Sequence, residues 1–299
     1  MSKAFSTRTF GKWILAGEHA VLRGCPALAF PLTNRYLQLD YEPHPGSLDV
    51  QFIGEHGADL KLLFYGVIEN AISQLKIAHP LEGTFTVFSS LPVGAGLGAS
   101  AALCGAVARW CQAQQWISES EIYEFARRLE DLFHGESSGV DLAVSLSGKG
   151  VRFIRNGDQT TIENQWRPNL YLSYCGQRGM TSECVAKVKR LFETDPVLAN
   201  KLDAQMKLAV NLAEKSLTNK ESVGHVALKE SLELAYGCFD QWGLISADLK
   251  HHINLLLEAG ALAAKPTGSG GGGYVLSLWR EAPPVSVQSL LVPAFSGPR

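Results

Sequence analysis

Apolar and polar residues follow two rhythms along the chain, one typical of strands and one typical of helices. The segment GTFTVFSSL, residues 83–91, alternates with a period of two and predicts a β-strand. Residues 100–115, which follow a short loop, have the small and apolar residues of a helix. Between 118 and 135, apolar residues three and four apart predict another helix, which Ser118 and Glu121 begin with a capping box. The first half of the chain therefore mixes helices with strands.

The pattern changes near residue 170. NLYLSYCG, residues 169–176, predicts a strand, and the segment after it predicts a helix that begins at Thr181. Longer helices are expected over 196–219, 226–242 and 247–258. Because a mixed pattern over 299 residues favours two domains, we place the boundary at about residue 165. The expected domains are 1–165 and 166–299.

Composition and charge narrow the range of partners. Hydrophobic residues make up 46% of the chain and charged residues 19%, which is typical of a globular protein with a sizeable core. The net charge of −2 gives no electrostatic argument for a nucleic acid or an anionic membrane as partner. The six cysteines form no C-x-x-C pair, so we expect free thiols in a reducing compartment. With no signal-peptide pattern and no stretch long enough to span a membrane, the sequence predicts a cytoplasmic protein.

A glycine-rich loop joins the predicted strand to the predicted helix. In LPVGAGLGASAALCGA, residues 91–106, glycine stands at positions 94, 96 and 98. A helix N-terminus presents amide N–H groups and the positive end of the helix dipole, so this loop could bind a phosphate. The hydroxyl of Ser100 could then reach a Mg²⁺ ion held by that phosphate. Tight packing of helix against strand explains the same glycines, and the loop alone leaves both interpretations open.

Two acidic residues are candidates for chemistry near a phosphate. Glu130 lies at the edge of the buried stripe of its predicted helix, where it could bind a metal ion, although a solvated glutamate is the simpler interpretation. Asp141 follows a glycine-bracketed serine pair and precedes the apolar run LAVSL. An aspartate in that position is often an N-cap or a turn residue. It could equally be a base that orients a hydroxyl group.

Two further segments combine glycine with polar side chains. FGKWILAGEHAVLRG, residues 10–24, places Lys12, Glu18 and His19 around two short strands. Taken singly, such a lysine is usually a surface charge and such a histidine is usually structural. KPTGSGGGG, residues 265–273, resembles a flexible linker, but the apolar strand YVLSLW follows it at once. Glycine loops that lead directly into a strand are less typical of linkers.

Four segments, taken together and in this order, resemble the GHMP small-molecule kinases. They are FGKWILAGEHAVLRG, LPVGAGLGASAA, HGESSGVD and KPTGSGGGG, and the similarity extends from about residue 8 to about residue 275. The resemblance implies a two-domain α+β enzyme with a ribosomal-S5-like N-terminal domain and a ferredoxin-like C-terminal domain. It also implies ATP and Mg²⁺ as cofactors and a small-molecule alcohol as the phosphoryl acceptor, with ATP and acceptor bound between the domains.

The resemblance implies a role for each matching residue. Asp141 would accept or orient the proton of the acceptor hydroxyl, and Lys12 would stabilise both Asp141 and the transferring phosphoryl group. Ser100 and Glu130 would hold Mg²⁺. Glu18, His19 and Thr267 would lie near the acceptor. The nucleotide would contact Ser89 and the loop residues Gly94, Ala95, Gly96, Leu97, Gly98, Ala99 and Ser100.

The sequence alone leaves alternatives to this assignment open. A family member that phosphorylates a different acceptor is an alternative, although most of the others carry a different first motif, and the oligomeric state, including a homodimer, is open. A different class is a catalytically silent metabolite-binding protein with the same fold. The presence of Lys12, Ser100, Glu130 and Asp141 together argues against that loss of activity.

Overall fold

The computed structural model describes residues 3–134, 137–219 and 221–295, the side chains of 133, 134 and 221–223 excepted. Strands and helices intermingle over its first half, and a run of long helices precedes the last strands. The strands are β1 (Phe5–Ala16), β2 (Ala27–Glu42), β3 (Leu48–Ile53), β4 (Gly83–Ser89), β5 (Val151–Phe153), β6 (Gln159–Thr161), β7 (Asn169–Tyr174), β8 (Ala263–Thr267), β9 (Tyr274–Trp279) and β10 (Val292–Pro293). The α-helices are α1 (Lys61–Leu75), α2 (Ala99–Ala113), α3 (Ile122–His134), α4 (Val140–Ser147), α5 (Thr181–Thr194), α6 (Pro196–Leu217), α7 (Glu221–Gln241), α8 (Ala247–Glu258) and α9 (Val285–Gln288).

Most elements predicted from residue patterns are present. The strand predicted over 83–91 is β4, and the helix predicted over 100–115 is α2. The capping box of Ser118 and Glu121 is confirmed, and it opens a short 3₁₀ turn ahead of α3. β8 was not predicted, because alanine and proline are poor strand formers and this strand exists through its antiparallel pairing with β9.

The chain folds into two compact units that interleave in sequence. The first comprises Met1–Lys12, Pro31–Val93 and Leu97–Gly148, and the second comprises Trp13–Phe30, Gly94–Gly96 and Lys149–Arg299. These units follow packing rather than chain order. The division of the sequence at about residue 165 stays a prediction.

The first unit is built around α2. Eleven of the fifteen residues of α2 are buried, and α1, α3 and α4 all pack against it. Its small side chains allow these neighbours to approach closely. In the sheet, β4 pairs antiparallel with residues 37–42 of β2 and parallel with β3. Phe85 of β4 packs against Trp110 of α2 with 4.9 Å between ring centroids, so one aromatic core joins the sheet to the helix that follows the glycine loop.

The second unit contains a four-stranded sheet in the order β10–β7–β9–β8. α8 covers this sheet through Leu249, Ile253 and Leu256, which cluster with Val275 and Trp279. α6 and α7 pack against each other, and α7 also packs against β8. The strand β8, which precedes the second glycine-rich segment, therefore pairs with β9 and packs against α7. It is buried along its whole length.

Two expectations about the chain as a whole are testable on the structure. All six cysteines are free thiols, as predicted. No helix within the described residues combines the length and the apolar character needed to cross a membrane.

Candidate active site

The glycine loop places left-handed backbone at the start of α2. Gly94, Gly96 and Gly98 have φ values of +73°, +87° and +78°, which residues with a Cβ rarely adopt. Gly98 is the N-cap of α2, and it has no side chain with which to cap this end of the helix. An uncapped helix N-terminus offers amide N–H groups to an anion. The local structure therefore suits the predicted phosphate-binding loop.

A buried lysine and an aspartate meet beside this helix end, within the first unit. The Nζ of Lys12 lies 3.1 Å from Oδ2 of Asp141, and the backbone N–H of Lys12 donates to the carbonyl of Leu97. The lysine side chain is 4% exposed and the aspartate side chain is 26% exposed. Asp141 lies in the first turn of α4, where the helix dipole favours a negative charge. The carboxylate is thus the part of the pair that a ligand can reach.

Gly98 brings the loop backbone into contact with this pair. A Cβ built on Gly98 would lie 2.9 Å from Cγ of Lys12 and 3.8 Å from Oδ2 of Asp141. The first distance is shorter than real Cβ contacts allow. Glycine is therefore needed here for two reasons, the left-handed φ and the close approach of the lysine.

Glu130 supplies a second carboxyl group near Asp141. Its side chain is buried on α3, and Oγ of Ser137 donates to its Oε2 at 2.5 Å. Burial is the main reason why the pKa of Glu130 rises to about 8, and the negative charge of Asp141 adds to the effect. Without a bound cation, this carboxyl is largely protonated at neutral pH.

The donor set of this region suits Mg²⁺ bound together with a phosphate. The described residues contain no group of three or more His, Cys, Asp or Glu side chains arranged for a metal ion. Mg²⁺ needs fewer, since it takes one or two carboxylates and completes its shell with phosphate oxygens and water. The carboxyl oxygens of Glu130 are of the kind that Mg²⁺ binds, and the negative charge of the nearby Asp141 also favours a cation there. Ser100 is the second residue of α2 and is half-buried. Gly135 and Glu136, in the segment HGESSGVD, lie outside the described residues.

A second group of predicted site residues lies within the second unit. Glu18 and His19 follow β1, and Thr267 ends β8. The carboxylate of Glu18 forms a buried ion pair with Lys265. Gly96 belongs to this unit, since a Cβ built there would lie 3.5 Å from the carbonyl oxygen of Thr267. The predicted residues thus form two sets, one around Lys12 and one around Lys265.

His19 has a defined protonation state in this set. Its Nε2 lies 2.8 Å from the carbonyl oxygen of Ser269, which can only accept, so Nε2 carries a proton. Burial lowers the pKa of His19 to about 4, so the ring is neutral near pH 7. In this tautomer Nδ1 has a lone pair. A further hydrogen bond to the ring must therefore come from a donor such as a hydroxyl group.

The lowered pKa of His19 predicts a loss of stability in acid. An unfolded histidine with a pKa near 6.5 takes up a proton that the folded one resists until about pH 4. The stability that the protein has with a neutral His19 ring is therefore fully present above pH 6.5, and it falls as the pH drops towards 4. Between pH 7 and 4.5 this single group should lower the free energy of unfolding by about 2 kcal/mol.

Urea unfolding of the wild type and His19→Gln at pH 7 and 4.5 checks this. The variant should lose less stability on acidification than the wild type. His44→Gln, at an exposed position, is the control and should behave as the wild type. An equal loss in wild type and His19→Gln would contradict the assignment of the buried ring.

Two predicted ligand-binding hydroxyl groups bond to the backbone. Oγ of Ser89 donates to the carbonyl of Leu91 and accepts from the N–H of Leu91, which closes the turn before the glycine loop. Oγ1 of Thr267 donates to the carbonyl of Ile14 and accepts from its N–H. Both side chains are buried. The geometry supports a role in fixing the loop and the strand, and their contact with ligand stays a prediction.

Sequence reasoning did not single out Lys265 and Ser137. Lys265 directly precedes PTGSGGGG, and its burial follows from β8, a strand that was not predicted. Ser137 belongs to the glycine-bracketed serine pair before Asp141, and it is the partner of Glu130. A buried strand reading AAKPT would have been the signal for the lysine, because a buried lysine requires a partner.

Comparison with known proteins gives the same architecture. The family model GHMP kinases N terminal domain matches residues 63–149. The mevalonate kinase of Pyrococcus abyssi is 31% identical over 294 residues, which cover 89% of this chain and 86% of that protein. The mevalonate kinase of Aeropyrum pernix is 28% identical, over 94% of this chain and 90% of that protein. The crystal structure of L. major mevalonate kinase in complex with R-mevalonate matches with a TM-score of 0.75 and 24% identity, over 94% of this chain and 91% of that chain.

The fold and the glycine loop with its lysine–aspartate pair define a small-molecule kinase of the GHMP class. The predicted α+β kinase fold is confirmed by the structural match. The chain belongs to the mevalonate kinase family, because the similarity to the Pyrococcus abyssi protein reaches 31% identity across almost the whole length of both.

Proposed function

We propose that this protein transfers the γ-phosphoryl group of ATP to the primary hydroxyl of mevalonate, giving 5-phosphomevalonate and ADP. The observation that carries the proposal is the ion pair of Lys12 and Asp141 against the backbone of Gly98, at the uncapped start of α2. Family membership selects mevalonate as the acceptor. The reaction belongs to the mevalonate pathway of isoprenoid biosynthesis.

The exposed carboxylate of Asp141 takes the role of base. The acceptor oxygen forms its bond to the γ-phosphorus while the bond from that phosphorus to the bridging oxygen of ADP breaks, and the hydroxyl proton passes to Asp141. Lys12 keeps a positive charge beside this carboxylate and beside the transferring group. Phosphoryl transfer depends chiefly on alignment and charge neutralisation, which these two side chains supply.

The glycine loop and the second set of residues take the binding roles. Residues 94–100 would hold the ATP phosphates with backbone N–H groups, and Ser89 fixes the turn that leads into them. His19 would accept a hydrogen bond from a hydroxyl group of the acceptor at Nδ1, since Nε2 already donates to Ser269. The ring would thereby orient the acceptor rather than take part in proton transfer.

Glu130 and Ser100 would hold the Mg²⁺ that accompanies ATP. When bound, Mg²⁺ supplies positive charge that stabilises the phosphate oxygens. The Ser137 hydroxyl keeps the Glu130 carboxyl in one orientation, at 2.5 Å. Because its pKa lies near 8 in the free protein, the carboxyl must lose a proton before it can bind a cation.

This linkage predicts proton release on binding of magnesium nucleotide. At pH 7, MgATP should release up to one proton per wild-type molecule, because the Glu130 carboxyl, whose pKa burial raises, must ionise to bind the cation. Titration calorimetry in two buffers with different ionisation enthalpies measures the number. Glu130→Gln should release almost none, and ATP without Mg²⁺ should release less than MgATP. Equal release by wild type and Glu130→Gln would contradict the metal assignment.

The acceptor is tested by an ADP-release assay with four compounds. Mevalonate should give the highest turnover, and phosphomevalonate, galactose and homoserine should give little or none. Turnover with another acceptor alone would overturn mevalonate as substrate but keep the kinase class. A folded protein that releases no ADP with any acceptor would be the silent metabolite-binding alternative.

We propose that the reaction takes place in the cytoplasm, with ATP and mevalonate as the partners of the chain. The six free cysteines are in keeping with a reducing compartment. The net charge of −2 gives no reason to expect a nucleic acid or an anionic surface as a further partner.

A further inference from the structure

Lys265 is a buried cation that contacts oxygen atoms of Glu18, Ile14 and Pro266. Its side chain is fully buried in β8, and its Nζ forms the ion pair with Glu18 and donates to the carbonyls of Ile14 and Pro266 at 3.4 Å and 2.6 Å. The ammonium also lies 5.4 Å from the ring centroid of Phe239. A buried ion pair contributes little net stability compared with apolar side chains of similar size. Its presence therefore suggests a role beyond holding the fold together.

The ion pair is attached to a strained turn. His19 directly follows Glu18 and has φ +59° and ψ −48°, a conformation unusual for any residue other than glycine. Such a conformation persists only where the surroundings fix it. Here the ring is held by the carbonyl of Ser269 and packs edge-on against Phe239 and Trp242, at centroid distances of 6.0 Å and 5.3 Å.

Residues 265, 267 and 269, alternate positions in β8 and directly after it, all hold the segment from Ile14 to His19. Lys265 binds Glu18, Thr267 bonds to both the N–H and the carbonyl of Ile14, and the carbonyl of Ser269 accepts from His19. Side chains two apart in a strand lie on the same face, so the contacts of Lys265 and Thr267 follow from the register of β8. The carbonyl of Ser269 adds a backbone contact from the loop after the strand. The turn that carries His19 is thus held by β8 and the loop that follows it.

We propose that Lys265 and Glu18 are positioning residues, which hold the strained turn so that the His19 ring stands ready to bind the acceptor. In this assignment Glu18 acts through His19 and the pair sets the KM for the acceptor, while the KM for ATP is independent of it. The inference rests on the proposed function for its kinetic part. Its structural part concerns the protein without ligands.

The decisive variant replaces both charges together. Lys265→Met removes the ion-pair partner of a buried carboxylate, Glu18, and should lower the melting temperature strongly. Glu18→Gln with Lys265→Met removes both charges and should recover most of that melting temperature. It should still raise the KM for mevalonate at least about tenfold, because a small misplacement of a binding group is costly. The KM for ATP should change less than about twofold. Arg152→Met, which breaks an ion pair on the partly exposed surface of the same unit, is the matched control.

Two further measurements keep the test decisive. Glu18→Asp keeps both charges but shortens the carboxylate arm, and it should also raise the KM for mevalonate. The imidazole NMR resonances of His19, assigned through His19→Gln, should shift in the ligand-free double variant and stay unchanged in Arg152→Met. Unchanged His19 resonances, or a wild-type KM for mevalonate in a folded double variant, would overturn the proposal. If the wild type did not use mevalonate, the proposed function would fail while the NMR comparison still decided the positioning role.

Discussion

Replacing Asp141 by asparagine should lower kcat by about 10²–10⁴-fold, the range expected when a general base is removed. Asparagine keeps the size of the side chain and an oxygen that can accept from Lys12, whose Nζ lies 3.1 Å from Oδ2. It cannot take up the proton of the acceptor hydroxyl. The fold should therefore remain while turnover is lost. Steady-state kinetics with mevalonate and ATP, together with thermal unfolding followed by circular dichroism, measure the two effects separately.

Companion variants separate a base from a structural charge. Lys12→Met should also lose most turnover, and the double variant Lys12→Met with Asp141→Asn should be little worse than either single variant, since the two groups act as a unit. Glu124→Gln, an exposed carboxylate on α3, is the control and should keep wild-type kcat. A kcat within about threefold of wild type for Asp141→Asn would reject it as the base, because such a change is under about 1 kcal/mol in the barrier.

The parts of the site that depend on neighbouring residues in sequence were predictable. The strand, glycine loop and helix over 83–115 follow from periodicity and from glycine placement, and β4, the loop and α2 appear where the pattern put them. Asp141 is a partial case, since its place in the first turn of α4 agrees with the N-terminal position that an aspartate favours. These features depend on interactions between residues that are close in sequence, so a single sequence is enough to predict them.

The parts that depend on pairing across the chain were not predictable from local pattern. Lys265 meets Glu18 across 247 positions of sequence, and the contact exists because β8 pairs with β9 and packs beside the end of β1 within one unit. The positive φ of His19 is likewise a tertiary result, because its ψ of −48° lies outside the left-handed helical region in which histidine is enriched. Serine and threonine hydroxyls show the same limit. Ser89 satisfies the backbone locally, whereas Thr267 does so across 253 positions.

Replacing Gly98 by alanine should reduce kcat by about 10²-fold, because the reacting groups would be displaced by a fraction of an ångström or more. The new Cβ would lie 2.9 Å from Cγ of Lys12, so the lysine, the loop or both must move. The left-handed φ of +78° adds a backbone strain of about 1–2 kcal/mol. Lys12 is almost fully buried, so it has little room to move without leaving Asp141. Steady-state kinetics measures the effect of the displacement on kcat, and thermal unfolding measures the effect of the strain on stability.

Gly176→Ala separates these two effects. Gly176 has a similar φ of +88°, but a Cβ built on it would meet no atom within 4 Å. Both variants should therefore lose comparable stability from strain, about 1–2 kcal/mol. The two should differ in catalysis, since only the alanine at position 98 presses on the lysine. If Gly176→Ala and Gly98→Ala reduced kcat to the same extent, backbone strain alone would account for the loss. The close approach of Lys12 to the loop would then have no part in aligning the phosphoryl group.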